Sequence, residues 1–163
     1  MIIDFSAWAW TVKWPKKGNL QQVTDEIKKE LKELLIGSNV FIFFDRYREY
    51  SRKGSTRDSR ESLLQSRRLS LRLNMPIPKK DNVLRCRPNK KQFNKVVYDC
   101  IMADQDFLTQ VTQNHSLLMH FKNTVPLQVF KGKKTPKPQF TTYHEEADIP
   151  IAKYSISCGM VGM

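Results

Sequence analysis

The chain has 163 residues, a length that suits one domain with its own hydrophobic core. Its 28 Lys and Arg outnumber 16 Asp and Glu, and the net charge of +12 favours a polyanionic partner: nucleic acid, an anionic membrane surface or an acidic protein. Three widely spaced cysteines, no long apolar run and no signal-like leader argue against a disulfide framework and a membrane span. We therefore expect an intracellular protein, nuclear or cytoplasmic, with no membrane partner.

The chain opens with a short apolar segment followed by aromatic residues. Residues 1–5 (MIIDF) predict a buried strand, and we expect Trp8, Trp10 and Trp14 to lie in an aromatic loop after it. Tryptophans of this kind are more often packing residues, although aromatic side chains beside a basic groove also stack on the bases of single strands.

A helix and a second strand are expected next. Asn19 is a suitable N-cap with Gln22 in the capping-box position, and apolar residues then recur every three or four positions until Gly37 supplies the stop. The run 39–44 (NVFIFF) is apolar without alternation, as in a strand covered on both faces of a parallel sheet. Strand, amphipathic helix and buried strand together predict a βαβ unit.

Most of the positive charge lies in residues 46–91, which hold fifteen Lys and Arg against four acids. Arginine dominates the first half of this basic segment, and the guanidinium group matches phosphate oxygens in a bidentate way. We expect a helix over 56–72 with a thin apolar stripe, and a solvated basic loop is the alternative to a binding surface. The residues expected to bind DNA or RNA phosphates are Arg46, Arg48, Arg52, Lys53, Arg57, Arg60, Arg67 and Arg68.

Further elements are expected in the second half of the chain. Asn89 is the predicted cap of a helix, and residues 115–121 predict a third strand. The two histidines of that strand region are expected at the surface or at the sheet edge rather than as metal ligands. Residues 131–138 (KGKKTPKP) read as a polar loop broken by proline, and 143–155 as a last helix that begins HEEAD.

Acidic residues follow both predicted strands of the βαβ unit. In a doubly wound sheet, ligands bind beyond the carboxyl ends of the strands, which is where Asp4 and Asp45 stand. Converging carboxylates repel each other unless a hard cation compensates them, so we expect Mg²⁺ or Mn²⁺. Two such ions can activate water for phosphodiester cleavage, whereas the structural alternative for each acid is a cap or a partner of a helix dipole. The expected metal ligands are Asp4, Asp45, Glu145, Glu146 and Asp148.

Four stretches of the sequence resemble a known family: MIID at 1–4, WPKKGN at 14–19, VFIFFDRYREYSRKGSTR at 40–57 and YHEEAD at 143–148. They resemble a large group of uncharacterised animal proteins often associated with mobile elements. That group is in turn similar to PIN-type and flap-endonuclease-type nucleases. The resemblance spans nearly the whole chain, and its most specific parts are the second strand with FDRYRE and the HEEAD helix.

The resemblance implies a fold and a set of catalytic residues. The implied fold is a partial doubly wound, PIN-like and Rossmann-like three-layer α/β sandwich over residues 1–163. It has a mostly parallel sheet and a basic helical arch over 46–91, where Arg52, Lys53, Arg57 and Arg60 face the scissile phosphate. The implied catalytic residues are Asp4, Asp45, Glu146 and Asp148, with Glu145 as a substitute.

The sequence departs from the family's pattern after the acidic helix. Such nucleases continue into a strand that ends in a D-x-D aspartate pair, and no D-x-D follows Asp148 before Met163. We therefore expect a C-terminally incomplete domain, either a truncated gene product or a relic. Two functions follow from this: a metal-dependent nuclease if the site is complete, or a catalytically inactive nucleic-acid-binding remnant of a mobile element.

Overall fold

The computed structural model describes three stretches of the chain, residues 1–44, 67–121 and 124–141. Within them the fold is α/β. The strands are β1 (Ile2–Asp4), β2 (Val40–Phe43), β3 (Leu117–His120), β4 (Leu127–Phe130) and β5 (Lys133–Pro136). The helices are α1 (Phe5–Thr11), α2 (Leu20–Gly37), α3 (Lys80–Leu84), α4 (Arg87–Ala103), α5 (Gln105–Val111) and a 3-10 helix at Pro138–Phe140. Among these helices, none combines the length and apolar character needed to cross a membrane.

The chain divides into two compact units, each assembled from separate stretches of sequence. The first contains the sheet and is built from residues 1–8, 32–46 and 104–163. The second is built from residues 9–31 and 47–103 and, in its described part, is formed by helices and by an extended segment.

The five described strands form one mixed sheet in the order β1-β2-β3-β4-β5. β1, β2 and β3 run parallel, and β4 and β5 continue the sheet with antiparallel pairing. The predicted α/β class, the βαβ unit and the third strand are therefore confirmed. Among the described strands the order does not reverse as it does in a doubly wound sheet, and the antiparallel strands make the sheet mixed.

We call the side of the sheet at which the parallel strands β1, β2 and β3 end the carboxyl edge. Strand β2 determines which residues of the neighbouring strands lie there. All four of its residues are buried, and it lies between β1 and β3. Its register pairs Phe43 with Asp4 on one side and with His120 on the other. Because paired residues of neighbouring strands point to the same face, these three residues form one row across the ends of three parallel strands.

The polar loop expected over 131–138 is instead a β-hairpin made by β4 and β5. Its two-residue turn consists of Lys131 and Gly132, whose φ angles are 49° and 74°. Two-residue hairpin turns of the common type require positive φ at both positions. The turn is also anchored from outside, because Gly132 N–H donates to Thr112 Oγ1 at 2.9 Å and Gln105 Nε2 donates to the Gly132 carbonyl at 2.7 Å.

The three tryptophans do not share a loop as expected. Trp8 and Trp10 lie on α1, and only Trp14 lies in the loop after it. The Trp14 ring packs on Phe93 with 5.3 Å between ring centroids, which makes it a packing residue. Trp10 is 40% exposed.

Helix α2 begins where the sequence predicts. The Asn19 N–H donates to Gln22 Oε1 at 3.0 Å, and the Gln22 N–H donates back to Asn19 Oδ1 at 3.4 Å, so the two residues form a capping box. The preceding Gly18 has φ of 116°, and a Cβ on it would lie 1.4 Å from Gln22 Oε1. A side chain at position 18 therefore conflicts with the backbone and with the cap together.

Substituting Gly18→Ala should lower the free energy of unfolding by roughly 1–3 kcal/mol, because it adds backbone strain and displaces the Gln22 cap. Gly37→Ala is the matched control. Gly37 has open space around its Cβ position, so alanine there should leave stability unchanged or raise it by up to about 1 kcal/mol. Urea unfolding of both variants measures the change in the free energy of unfolding. Equal changes in the two variants would contradict the specific requirement for glycine at position 18.

Candidate functional site

The predicted site is only partly covered by the described residues. Asp4, Arg67 and Arg68 lie within them. The other predicted metal ligands and catalytic acids, which lie outside them, are Asp45, Glu145, Glu146 and Asp148. The predicted phosphate-binding residues that also lie outside them are Arg46, Arg48, Arg52, Lys53, Arg57 and Arg60.

Asp4 stands at the point where β1 ends and α1 begins. Its half-buried carboxylate accepts a hydrogen bond at 2.9 Å from the backbone N–H of Ser6 through Oδ1, which satisfies one N–H of the first turn of α1. Asp4 is thus a helix cap as well as a residue of the carboxyl edge. A carboxylate offers about four acceptor positions, so capping a helix and binding a hard cation are compatible roles for one side chain.

His120 occupies the equivalent position at the end of β3, and the expectation of a surface or edge histidine is wrong for it. It is 2% exposed, and its ring lies edge-on to that of Phe43 with 5.8 Å between centroids. The cause is the position of β3 between β2 and β4, which buries all four residues of the strand. The signal in the sequence is the unbroken apolar run LLMHF, in which a surface histidine is out of place.

The face of the sheet that carries Asp4 is covered by an aromatic cluster. Phe41, Phe43 and Leu118 are buried there, and Phe140 of the 3-10 helix packs on them. The chain therefore reaches Thr141, the last described residue, close to this face. The predicted acidic group at 145–148 begins four residues further along the sequence.

Residues 67–72, the described end of the helix predicted over 56–72, are extended and not helical; we call residues 67–73 the extended segment. From Arg68 to Leu73 exposed and covered residues alternate strictly, with Arg68, Ser70 and Arg72 outward and the intervening leucines inward. This is the period of a strand, not of a helix. The sequence RLSLRL already shows that alternation, which the overall leucine content of the segment concealed.

Two side-chain amides of α4 hold this extended segment in place. Asn89 Oδ1 accepts from Leu69 N–H at 2.8 Å, and Asn89 Nδ2 donates to the Arg67 carbonyl at 3.0 Å. Gln92 repeats the pattern two residues on, accepting from Leu71 N–H at 3.0 Å and donating to the Leu69 carbonyl at 2.8 Å. We call Asn89 and Gln92 the amide clamp.

Asn89 is not the helix cap that the sequence predicts. It lies inside the first turn of α4 and is fully buried, and its Nδ2 makes a further 2.8 Å bond to the Asn82 carbonyl. A buried amide needs partners for its donor and its acceptor, and here the partners are backbone groups of other segments. Sequence spacing does not reveal such partners, because they are 7, 20 and 22 residues away.

The far end of the extended segment is fixed by the N-terminus of α2. Leu20 N–H donates to the Met75 carbonyl and Gln21 N–H to the Leu73 carbonyl, both at 2.9 Å. These amide groups have no acceptor within the helix, so the extended segment and α2 satisfy each other.

Some of the basic residues have structural roles. The Lys80 ammonium donates to the carbonyls of Trp10 at 2.5 Å and Val12 at 2.7 Å, at the C-terminal end of α1, where a cation is favoured. Burial lowers the pKa of Lys80, and the negative charges of Glu30 and Asp81 oppose that shift. Not every positive charge of the basic segment is therefore available to a ligand.

No group of three or more His, Cys, Asp or Glu side chains that could hold a metal occurs within residues 1–44, 67–121 and 124–141. Comparison with protein families, with curated proteins and with solved structures found no match to this chain. The similarity to PIN-type nucleases thus stays a prediction from the four sequence stretches.

The cap and the charge of Asp4 can be separated by mutation. Asp4→Ala should lower the free energy of unfolding by about 0.5–2 kcal/mol, because the Ser6 N–H loses its acceptor. Asp4→Asn keeps an acceptor oxygen and should stay within a few tenths of a kcal/mol of the unmodified protein. Urea unfolding measures both, and an equal loss in the two variants would show that the charge, not the acceptor, stabilises α1.

Proposed function

We propose that this chain is a nucleic-acid-binding protein of nuclease type, in which basic side chains hold phosphates and an acidic edge of the sheet binds Mg²⁺ or Mn²⁺. The observation that carries the proposal is the register of the first two strands. Asp4 pairs with Phe43, and Asp45 is the second residue after Phe43 in the sequence. Neighbouring strands are about 4.8 Å apart, so residues that leave two such strand ends start from closely spaced backbones.

The position of Phe140 supports a contribution from the second acidic group. Phe140 packs on the cluster of Phe41, Phe43 and Leu118, on the face of the sheet that also carries Asp4. Glu146 is six residues further on, and six residues span at most about 21 Å. The acids at 145–148 are therefore within reach of the carboxyl edge. With the PIN-like resemblance, Glu146 and Asp148 would complete the ligand set, and Glu145 is the substitute.

Each part of the chain has a defined task in this proposal. Asp4, Asp45 and Glu146 would hold the cations, which supply activated water and stabilisation of the leaving oxygen in phosphodiester hydrolysis. The guanidinium groups of the basic segment would position the phosphates of DNA or RNA. Binding and hydrolysis thus depend on different residues, and each can be removed without the other.

A second candidate function is nucleic-acid binding without catalysis, as in a remnant of a mobile-element protein. The observation that favours it is the hydrogen bond between Asp4 and Ser6, which accounts for Asp4 as a helix cap with no metal. The basic segment serves this function equally well. The two candidates differ only in whether the acids act on the bound strand.

Cleavage of labelled single-stranded, double-stranded and flap DNA and of RNA, with Mg²⁺ or Mn²⁺ present, tests the first function. Asp4→Asn and Asp45→Asn should each reduce the cleavage rate at least about 10- to 100-fold, the loss typical even of residues that only support a metal ligand. The exposed Asp106 on α5 provides the control, and Asp106→Asn should cleave at the unmodified rate.

The outcomes of this experiment, together with binding of the same nucleic acids across a salt series, distinguish the two candidate functions. Cleavage that survives both Asp4→Asn and Asp45→Asn would remove the acidic edge as the site. Binding that weakens steeply with salt but is never followed by cleavage would select the second function, since counterions released from phosphates give that salt dependence. Absence of any binding to nucleic acid would contradict both functions.

A further inference from the structure

The outward side of the extended segment is wholly polar and carries two positive charges. Arg68, Ser70 and Arg72 are exposed, while Leu71 beneath them is 9% exposed. Alternate residues of an extended chain are about 6.6 Å apart on one side, so the two guanidinium groups originate from backbone positions about 13 Å apart. The three outward side chains thus form a straight row of donors with an even spacing.

The amide clamp gives this segment the hydrogen bonds of a strand, although no strand within the described part of the chain pairs with it. Each clamp amide binds the carbonyl of one residue and the N–H two residues later, which are the groups that an extended chain presents along one edge. Asn89 does so around Arg68, and Gln92 does so around Ser70. The clamp therefore fixes the backbone on both sides of Arg68 and of Ser70, and Arg72 follows directly after the last clamped residue, Leu71.

Neither guanidinium of the row is committed to a structural ion pair within the described part of the chain. This separates Arg68 and Arg72 from Lys80, which caps α1, and from Arg85, whose Nε lies 3.4 Å from Asp81 Oδ2. These two arginines have no ion-pair partner among the described residues, and their backbone, already held in one conformation, loses little freedom when a ligand binds.

We infer that Arg68, Ser70 and Arg72 form a preorganised row that binds successive phosphates of one nucleic-acid strand, and that Asn89 and Gln92 are its positioning residues. The inference rests on the proposed function. It adds the residues that would contact the phosphates and the kind of ligand that they would bind, a single extended strand. The match is one of charge and of shape, because a single strand is a line of evenly repeated anions. Guanidinium groups bind them in a bidentate way, and the Ser70 hydroxyl donates to the phosphate between them.

The absence of apolar residues on the outward side of positions 68–72 argues against a membrane surface as the occupant. A segment that lies on a lipid surface turns apolar side chains toward the acyl region, whereas the leucines of this segment face the protein. Anionic vesicles are therefore the competing ligand in the test.

The row is tested by binding of a fluorescein-labelled oligo-dT across a salt series, with Arg68→Ala/Arg72→Ala against Lys29→Ala/Lys32→Ala. The control removes the same charge from two exposed positions of α2, outside the basic segment. Loss of two phosphate contacts should reduce the slope of log affinity against log salt by about 1.4, since each contact on a single strand contributes about 0.7. If the two proteins bind equally at about 1 M salt, this change in slope makes the affinity of the double variant about 25-fold weaker than that of the unmodified protein at about 0.1 M salt.

The clamp is tested by Gln92→Ala, with hydrogen exchange as an independent readout. The Leu71 N–H loses its acceptor and should exchange faster, while the Leu69 N–H, held by Asn89, should keep its protection. Affinity for oligo-dT should fall although the salt slope stays the same, because both arginines remain. Gln92 is only partly buried, which makes this variant a safer test than substitution of the fully buried Asn89.

The outcomes separate failure of this inference from failure of the proposed function. If the unmodified protein binds oligo-dT and Arg68→Ala/Arg72→Ala behaves like the Lys29/Lys32 control, the row is overturned and the proposed function stands. Faster exchange in Gln92→Ala with unchanged affinity overturns the positioning role of the clamp. If the unmodified protein binds phosphatidylserine vesicles and no nucleic acid, the row and the proposed function fall together.

Discussion

Strand β2 is apolar and buried along its whole length, so its backbone N–H and C=O groups need partners within the protein. The third strand supplies them at both ends: Val40 N–H donates to the Ser116 carbonyl at 3.0 Å, and Phe44 N–H to that of His120 at 3.1 Å. With β1 on the other side, the register of three parallel strands is fixed. A one-residue slip would turn every side chain of a strand to the opposite face. The position of Asp4 at the carboxyl edge is therefore determined by the burial of apolar residues that bind no ligand themselves.

In the second unit, an arginine-rich segment is ordered although it is not part of the sheet formed by the described strands. Isolated extended segments leave their backbone groups to water and remain disordered because fixing each residue costs about 1–2 kcal/mol. The amide clamp and the N-terminus of α2 replace that water from two sides, and the leucines between the arginines cover apolar surface. Order in this segment therefore comes from neighbours that are charge-neutral, which leaves the charges themselves for solvent or for a ligand.

The sequence predicts elements whose cause is local and fails where the cause is a distant partner. The capping box at Asn19, the 3.6-residue period of α2 and the apolar run of β2 are local, and all three are present in the structure. The helix predicted over 56–72 is wrong for its described end, residues 67–72, because Asn89 and Gln92 take up the backbone groups that a helix would pair internally. Of the expected site, Asp4 is at the carboxyl edge as predicted, while the buried state of His120 depends on strand order, which one sequence does not reveal.

For the proposed function, net charge is a poor measure of how many phosphates this chain could hold, because a positive charge with a structural partner contributes to the long-range field but makes no contact with a phosphate. Lys80 is such a residue, since its ammonium is held by two carbonyl groups. Contacts that hold a nucleic-acid strand in one position require exposed cations on an ordered backbone. The row of Arg68, Ser70 and Arg72 has both properties. Hydrolysis has a stricter requirement, because carboxylates from separate segments must converge within the reach of shared cations. In the proposed function, a binding surface built from one continuous segment would tolerate sequence change that would disable an acidic site assembled from three segments, so binding would be the more durable of the two proposed activities.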